Sequence, residues 1–407
     1  MERHKYTLDN GITLISIENP AVDLVSAKFF FRYGTQVETP EQAGLVHLVT
    51  AMITKGTEVH TAQEIAELIE SRGAVLSAEA SADYLVINTK TLTSDFASIF
   101  ALTSEILRRP TFPESELELE RYLTLQGIKA KQERPFSIAY DQMQTLLFGK
   151  HSYGLPLLGF PETVSQLTQA HLQTYHRQYL RPDHLVIALA GNLSPDRALT
   201  LVQEYLGDWH TPHPAPPSPQ PPQPQPPTHL HIPKATQQAI VMVSYPAIPV
   251  TDANYSAMKL IATYLGSGLS SRLFVELREK QGLAYEVSAF YPTRQFTSQL
   301  SAYMGTAPQN IDRAKTGLEQ ECQRLAETAL PPAELDLAKS KLLGQYALSK
   351  QTNSQLAQTY GWYECLGLSV DFDQHYQAQV QAVTPEQLQH TAQQCFQAPS
   401  IVIVSAN

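Results

Sequence analysis

Ala43-Gly-Leu-Val-His-Leu-Val-Thr-Ala-Met-Ile-Thr-Lys-Gly-Thr57 is the stretch around which the chain is organised. It is apolar almost all round and ends at a glycine, which predicts a buried helix. A His-x-x-Glu-His helix carries two imidazoles and a carboxylate on one face, where they hold zinc and a general base. Here His47 is present, but Thr50 and Ala51 stand where the glutamate and the second histidine would be.

The composition predicts a soluble globular protein with more than one domain. The 407 residues are 43% hydrophobic and 17% charged, which is enough for two domains of roughly 200 residues each. No apolar run approaches the ~20 residues of a membrane span, and the first residues lack the apolar segment of a secretory signal. Three isolated cysteines, Cys322, Cys365 and Cys395, match neither a zinc ribbon nor a disulfide framework, so we expect buried thiols and a cytoplasmic location.

The charge is negative and unevenly distributed. The net charge is -10, and residues 1–210 hold 25 acidic and 17 basic side chains. Because no basic stripe stands out, the sequence argues against nucleic acid as a partner. An acidic first half suits a cationic peptide or a basic partner surface, although solubility alone also accounts for it.

A proline-rich segment divides the chain almost in half. Residues 211–228 contain ten prolines in 18 residues, a composition that predicts a stiff, extended linker rather than a helix or a central strand. A ligand for a proline-binding domain is the alternative. We therefore predict a first domain at 1–210, a linker at 211–228 and a second domain at 229–407.

The two halves show the same order of elements: a strand, two helices, a strand pair, further helices and a last strand. We infer a duplicated α+β domain, in which a mostly antiparallel sheet carries helices on one face. The strands are predicted at 11–18, 24–33, 75–80, 84–92, 185–190, 238–245, 283–291, 296–305 and 401–404. The helices are predicted at 42–55, 61–72, 93–108, 113–132, 169–179, 195–206, 252–265, 270–280, 310–328, 332–349, 354–366 and 385–396, with a looser stretch after 132.

Several motifs together resemble the pitrilysin-like inverted-zincin peptidases, which include insulysin and the mitochondrial processing peptidase. Tyr33-Gly-Thr-Gln-x-Glu precedes Gly44-Leu-x-His, and Lys55-Gly-Thr follows. Phe148-Gly-Lys-His-Ser-Tyr-Gly resembles the stretch of the family around His-Pro-Tyr-Gly, and Tyr179-x-x-Pro-Asp-His-x-Val-Ile-Ala resembles its last strand of the first domain. The resemblance runs from about residue 6 to residue 404, and it implies a bowl, or half-clamshell, made of two homologous domains.

The resemblance also implies that the zinc site of this chain is lost. Active relatives supply a third ligand from a run like Glu-Arg-x-Val-x-x-x-Glu, and here that run is Glu120-Arg-Tyr-Leu-Thr-Leu-Gln-Gly127. Gly127 falls at the ligand position, so the base and two of three ligands are missing, and we expect no zinc in this chain. Taken alone, His47 is explained as a packed, hydrogen-bonded core residue, and Glu116 with Glu120 as a solvated helix face.

A second motif is intact. Gly266-Ser-Gly-Leu-Ser-Ser-Arg-Leu-Phe and the residues that follow resemble the second-domain motif of the family. In that motif an arginine and a tyrosine seven residues later bind the substrate backbone, and the matching residues are Arg278 and Tyr285. A guanidinium and a phenol are suited to bind a peptide carbonyl and developing oxyanion charge. The structural alternatives are a salt bridge of Arg278 with Glu279 or Glu276, and a packed strand aromatic at Tyr285.

These features favour the zinc-less, substrate-orienting subunit of a heterodimeric zinc metalloendopeptidase. The expected partners are a zinc-bearing homologous subunit and a peptide or unfolded protein, with neither nucleic acid nor membrane; a homodimer is also possible. The chain itself is expected to need no cofactor and to be inactive alone. The alternative is an inactive scaffold or a self-dimerising homologue without a role in proteolysis, for which an intact Arg278–Tyr285 motif has no obvious use.

Overall fold

The computed structural model describes residues 2–406. It contains two compact units, and each unit draws on segments from both sides of the proline-rich linker. Unit 1 comprises the chain up to residue 128 together with 156–219 and 349–372; unit 2 comprises 129–155, 220–348 and the chain from residue 373. The compact units are therefore not the same divisions as the predicted sequence domains at 1–210 and 229–407, which stay a prediction.

Unit 1 is built on a six-stranded sheet. Its order is β1-β2-β6-β3-β5-β4, and every neighbouring pair is antiparallel except β2 with β6. The strands are β1 (Arg3–Thr7), β2 (Thr13–Glu18), β3 (Leu24–Phe31), β4 (Val75–Ala80), β5 (Leu85–Leu92) and β6 (Leu185–Gly191).

Unit 2 is built on a five-stranded sheet of order β7-β11-β8-β10-β9, in which only β7 and β11 are parallel. The strands are β7 (His229–Pro233), β8 (Ala239–Ala247), β9 (Glu286–Phe290), β10 (Ser298–Thr306) and β11 (Ser400–Ser405). The same order and directions occur in the first sheet as β2-β6-β3-β5-β4. The predicted α+β class with two homologous, mostly antiparallel sheets is confirmed.

The helices cover these sheets. In the first half of the chain they are α1 (Leu45–Met52), α2 (Ala62–Glu70), α3 (Phe96–Arg108), α4 (Glu114–Gln132), α5 (Pro135–Phe148), α6 (Pro161–Val164), α7 (Gln169–Tyr179) and α8 (Pro195–Leu206). In the second half they are α9 (Tyr255–Gly266), a π-helical segment (Phe274–Lys280), α10 (Ile311–Glu327), α11 (Pro332–Leu348), α12 (Asn353–Cys365), α13 (Phe372–Ala382) and α14 (Pro385–Cys395). No helix within residues 2–406 is both long and apolar enough to cross a membrane.

The core of unit 1 follows from alternation along β3. Phe29 and Phe31 enter one apolar cluster that also contains Val46 and Val49 of α1, and all four side chains are inaccessible to solvent. Alternate residues of a strand face opposite sides, so Phe30 between them points to the other face of the sheet. Each buried large apolar side chain contributes roughly 1.5–3 kcal/mol, and this cluster therefore fixes α1 on the sheet.

The sequence analysis placed helices on one face of each sheet, but the second face is covered as well, by a helix from the other side of the linker. α12 packs on β3 and β6, and a Cβ placed on its Gly361 would lie 2.4 Å from a ring carbon of Phe30, so only glycine fits. α5 packs on β8 and β11 of unit 2. The ring centroid of its Phe136 lies 4.7 Å from that of Tyr303. α5 and α12 occupy equivalent places in the two repeats. Each half of the chain therefore contributes the corresponding helix to the sheet of the other half, and the exchange of helices is reciprocal.

The linker has no helix or strand between residues 211 and 228, as predicted, yet it is held in place. In unit 1 the guanidinium of Arg181 donates to the carbonyls of His213 and Pro214 at 2.8 and 2.7 Å. In unit 2 the His151 ring lies 2.9 Å from the carbonyl of Gln220. The proline-rich linker is therefore held by hydrogen bonds at residues 213, 214 and 220.

Five elements escaped the sequence analysis, namely β1, β7, α5, α6 and α13. The looser stretch predicted after residue 132 is wrong, because α5 starts with Pro135 in its first turn and continues to Phe148. The helix predicted at 270–280 is π-helical over Phe274–Lys280. β1 is an edge strand of mostly polar residues without apolar alternation. β7 is an edge strand in which only Leu230 and Ile232 are apolar, and it directly follows the proline-rich segment and ends at a proline. The three cysteines are buried, as expected.

Candidate functional site

The N-terminus of α1 is held by the buried carboxyl group of Glu38. Gly44 precedes the helix with a φ of 93°, a conformation that favours glycine. Glu38 accepts hydrogen bonds from the backbone N–H groups of Val46 (2.7 Å) and Gly44 (3.4 Å). Burial raises the pKa of Glu38 to about 8, although these two hydrogen bonds oppose the rise. The motif residue Glu38 thus positions the helix that carries His47.

His47 is engaged by a neutral hydrogen-bond chain. Its Nε2 lies 3.2 Å from the hydroxyl oxygen of Thr124 on α4. That hydroxyl donates its own proton to the carbonyl of Glu120 at 2.7 Å, so Nε2 must be the protonated nitrogen and the donor to Thr124. Burial lowers the pKa of His47, with the Glu120 carboxylate acting in the opposite direction. The atom that a metal would need is therefore committed to another partner.

The three other positions of the lost site offer no ligand. The Thr50 hydroxyl donates to the carbonyl of His47 at 2.7 Å, within its own helix. Ala51 presents a methyl group and Gly127 no side chain. A Cβ on Gly127 would make an ordinary contact of 3.5 Å with Leu158, so a Cβ fits at this position without a clash.

Glu120 is part of an ion pair rather than of a solvated face. Its carboxylate lies 3.0 Å from the Lys55 ammonium, and its side chain is only 15% exposed, which corrects the interpretation of Glu120 as solvated. Within residues 2–406 no group of three or more His, Cys, Asp or Glu side chains could hold a metal ion. A catalytic zinc needs three protein ligands, and the residues present do not fit one.

Arg278 lies near the end of the π-helical segment, with its side chain exposed. Gly282, at a φ of 62°, lets the chain turn, and its N–H bonds to the carbonyl of Arg278 at 3.1 Å. The guanidinium carbon lies 4.8 Å from the ring centroid of Phe274. The backbone and the ring together orient Arg278, because a cation is attracted to an aromatic face.

The salt bridge that could have explained Arg278 is made by other residues. Glu276 lies 2.8 Å from both Arg272 and Lys280. Arg272 is in addition bound by Glu321 at 2.7 Å. In the part of the chain that the structure describes, no carboxylate lies within ion-pair distance of Arg278.

Tyr285 is anchored through its backbone, and its side chain is open to solvent. Its N–H donates to the carbonyl of Gly305 at 2.9 Å, next to the start of β9. The side chain is 66% exposed, so Tyr285 is not the packed strand aromatic that was its structural alternative. A guanidinium and a phenol on fixed backbones can each donate to an external carbonyl. Their role in substrate binding stays a prediction.

Two contributions were missed by the sequence analysis. Thr124 is the partner of His47, and Lys55 is the partner of Glu120. Lys55 belongs to a motif quoted above, but the sequence does not reveal its partner, because the ion pair joins the loop after α1 to the interior of α4. Thr124 lies four residues after Glu120 in the run that ends at Gly127, and only that helical spacing could have drawn attention to it.

Comparison with known proteins identifies related sequences along most of the chain. The family model described as "Insulinase (Peptidase family M16)" matches residues 13–160, and that described as "Peptidase M16 inactive domain" matches residues 166–342. An "uncharacterized zinc protease" of Bacillus subtilis is 28% identical over 96% of this chain and 95% of its own length. One of Streptomyces coelicolor is 27% identical over 98% and 88%.

Solved structures show the same fold. A peptidase M16 inactive domain from Pseudomonas fluorescens superposes with a TM-score of 0.94 at 22% identity, over 100% of this chain and 99% of its own. A protease from Helicobacter pylori superposes with a TM-score of 0.93 at 19% identity, over 99% of each chain. Two models of one family together match residues 13–160 and 166–342, and this chain is therefore a member of peptidase family M16, the pitrilysin-like peptidases.

Proposed function

We propose that this chain is the non-catalytic subunit of a heterodimeric zinc metalloendopeptidase. It binds and orients a peptide or unfolded segment, and a zinc-bearing homologous subunit cleaves it. The observation that carries the proposal is the contrast between two sets of family positions. At the zinc positions two ligands and the base are missing, and the remaining polar groups, His47 and Glu120, are paired within the protein. Arg278 and Tyr285, in contrast, have exposed side chains on anchored backbones.

The chemistry assigned to the pair follows from its donors. The planar guanidinium of Arg278 can give two parallel hydrogen bonds to carbonyl oxygens of an extended peptide. The phenol of Tyr285 can donate to a carbonyl oxygen that gains negative charge as the peptide bond is attacked. Neither group attacks the bond, and the partner subunit supplies the metal and the base. The pair therefore positions the substrate and stabilises charge.

Two further features, the buried thiols and the net charge, support a cytoplasmic subunit that pairs with a different protein. Burial raises the pKa of the thiols of Cys322 and Cys365 to about 12 and of Cys395 to about 11, so all three stay protonated and unreactive at neutral pH. Free buried thiols agree with a cytoplasmic location. The net charge of -10 opposes self-association and favours a more basic partner surface.

The test is reconstitution with a zinc-bearing family member from the same cell. The purified chain alone should bind no stoichiometric zinc and leave a quenched fluorescent peptide intact, while the mixture should cleave it. Arg278→Ala or Tyr285→Phe should lower kcat/KM of the mixture by about 100-fold, the loss typical of one oxyanion donor. Arg313→Ala, which removes an exposed arginine of α10, should leave the rate unchanged.

Two results would contradict the proposal. Unchanged cleavage by the Arg278→Ala and Tyr285→Phe mixtures would leave the scaffold or self-dimer as the better description, and light scattering of the chain alone and with its candidate partner would then distinguish those two. Zinc binding and cleavage by the chain alone, lost on changing His47, would show an independent enzyme.

A further inference from the structure

A cavity of about 450 Å³ opens in unit 1 among residues with no part in the site described above. It lies between α2 and α3, with a side made by the loop at Val59 and His60 and by Tyr205 of α8. Its floor is apolar and includes Leu68, Ile99 and Leu102. Cavities of this size with an apolar lining and a few polar groups are typical of small-ligand sites.

The polar wall contains a histidine oriented by a carboxylate. His60 Nδ1 lies 2.9 Å from Oε1 of Glu105, and the hydroxyl of Thr57 donates to the same oxygen. Nδ1 is thus the nitrogen that donates to Glu105, and the opposite ring nitrogen, Nε2, has no partner among the described residues. Oε1 of Glu105 accepts from both donors, so Glu105 orients the imidazole.

Three arginines line the cavity, and they differ in how firmly they are paired. Arg108 is bound bidentately by Asp208 at 2.7 and 3.1 Å. Arg72 and Arg109 reach their nearest carboxylates only at 4.0 and 3.9 Å, both on half-open side chains. At such distances in water an ion pair contributes little, and although Arg72 also donates one N–H to the carbonyl of Leu68 at 2.9 Å, the other N–H groups of Arg72 and those of Arg109 remain available to an anion.

From this arrangement we propose that the cavity binds an amphipathic carboxylate, meaning an apolar chain that ends in a carboxylate group. The apolar chain lies on Leu68, Ile99 and Leu102, and the carboxylate is bound by Arg72 and Arg109 at the rim. The planar guanidinium matches a carboxylate in shape and charge, and the apolar floor excludes a ligand that is anionic throughout. The inference is independent of the peptidase-subunit function.

The test is isothermal titration of the full-length chain with octanoate, with 1-octanol and with inorganic phosphate. Octanoate should bind saturably and at least tenfold more tightly than either of the others. Arg72→Gln combined with Arg109→Gln should weaken octanoate binding at least tenfold, and Leu68→Gln should weaken it as well. The control Arg197→Gln, an exposed arginine on α8 outside the cavity, should bind as the wild type does.

A second pair of ligands distinguishes the source of the carboxylate. A short peptide ending in a free leucine carboxylate is compared with its C-terminal amide, with circular dichroism to confirm that each variant is folded. Binding of octanoate but not of the peptide identifies a free acid, and binding of both, with loss on amidation, extends the site to peptide C-termini. Absence of octanoate binding, equal binding of octanol or phosphate, or unchanged binding in the folded double arginine variant would overturn the proposal.

Discussion

The polar groups near His47 and those near Arg278 differ in whether they are paired with other groups of the protein. Around His47 each polar group that survives has a partner within unit 1: the imidazole has Thr124, and Glu120 has Lys55. Around Arg278 the neighbouring carboxylate of Glu276 is paired with other cations, and among residues 2–406 the guanidinium contacts only the ring face of Phe274. A site that is only structural tends to satisfy its polar groups internally, because an unpaired buried group is costly. A site that binds an external ligand leaves its donors open.

The largest expected effect comes from restoring the lost ligands. The triple variant Thr50→Glu, Ala51→His and Gly127→Glu should bind about one zinc per chain, because His47 would then join two ligands and a base on helices already in contact. Zinc content after dialysis and the binding constant by competition with a chelator measure it. The double variant that keeps Gly127 has too few ligands and should not retain the metal. A folded triple variant without zinc would show that the backbone of the site has diverged too.

The next effect concerns the buried carboxyl group of Glu38, which holds the N-terminus of α1. The pKa of Glu38 is raised to about 8, so its contribution to folding is present below the unfolded pKa near 4.5 and is lost as pH rises through 8. Glu38→Gln should remove this loss, so between pH 5 and pH 9 the free energy of unfolding of the variant should rise by at most about 4 kcal/mol relative to that of the wild type. Urea unfolding at both pH values measures the difference. Glu118→Gln on the exposed face of α4 should show none, and a parallel pH dependence in Glu38→Gln would contradict the assignment.

A third prediction compares two arginines of one helical region. Arg272→Ala removes a largely buried side chain from two carboxylates at 2.7 and 2.8 Å and should lower the free energy of unfolding by about 3 kcal/mol. Arg278→Ala removes no ion pair and should change it by less than about 0.5 kcal/mol. Thermal and urea unfolding of both variants provide the measurement. Equal destabilisation would mean that Arg278 has a structural role, which would weaken the contrast with His47.

The smallest effect tests the chain of hydrogen bonds at His47. Thr124→Val keeps the shape of the side chain but leaves Nε2–H of the buried imidazole without its acceptor. We expect a loss of about 1–2 kcal/mol in the free energy of unfolding. Thr145→Val on α5 is the matched control, because its hydroxyl is exposed and bonds only to backbone carbonyls. A variant as stable as the wild type would indicate that water can replace Thr124.

Sequence patterns were sufficient where an element has its own local signals. β4, α7 and α8 begin and end where alternation, helical period and N-terminal proline placed them. α5 was missed because it follows polar residues and starts at a proline, which reads equally well as a break. The π-helical hydrogen bonding of Phe274–Lys280 has no signature in the residues themselves.

The candidate site was predictable to a similar degree. The sequence alone shows that Thr50, Ala51 and Gly127 replace the base and two ligands. The exposure of Arg278 could not be predicted, because it depends on the ion pairs that its neighbour Glu276 makes with Arg272 and Lys280. The Lys55–Glu120 pair joins elements 65 residues apart, and no local pattern encodes such a distance.

The reciprocal exchange of α5 and α12 has a consequence for how the protein is made. The face of the first sheet that contains Phe30 and Ala188 is closed only when Gly361 arrives, so an apolar surface stays open while more than 150 further residues are synthesised. Domains that fold during synthesis usually complete themselves from the N-terminus, and this one cannot. The nascent chain must be protected from aggregation until residue 365 has left the ribosome, and a gene cut at the linker would yield two fragments that each lack a piece of their own core.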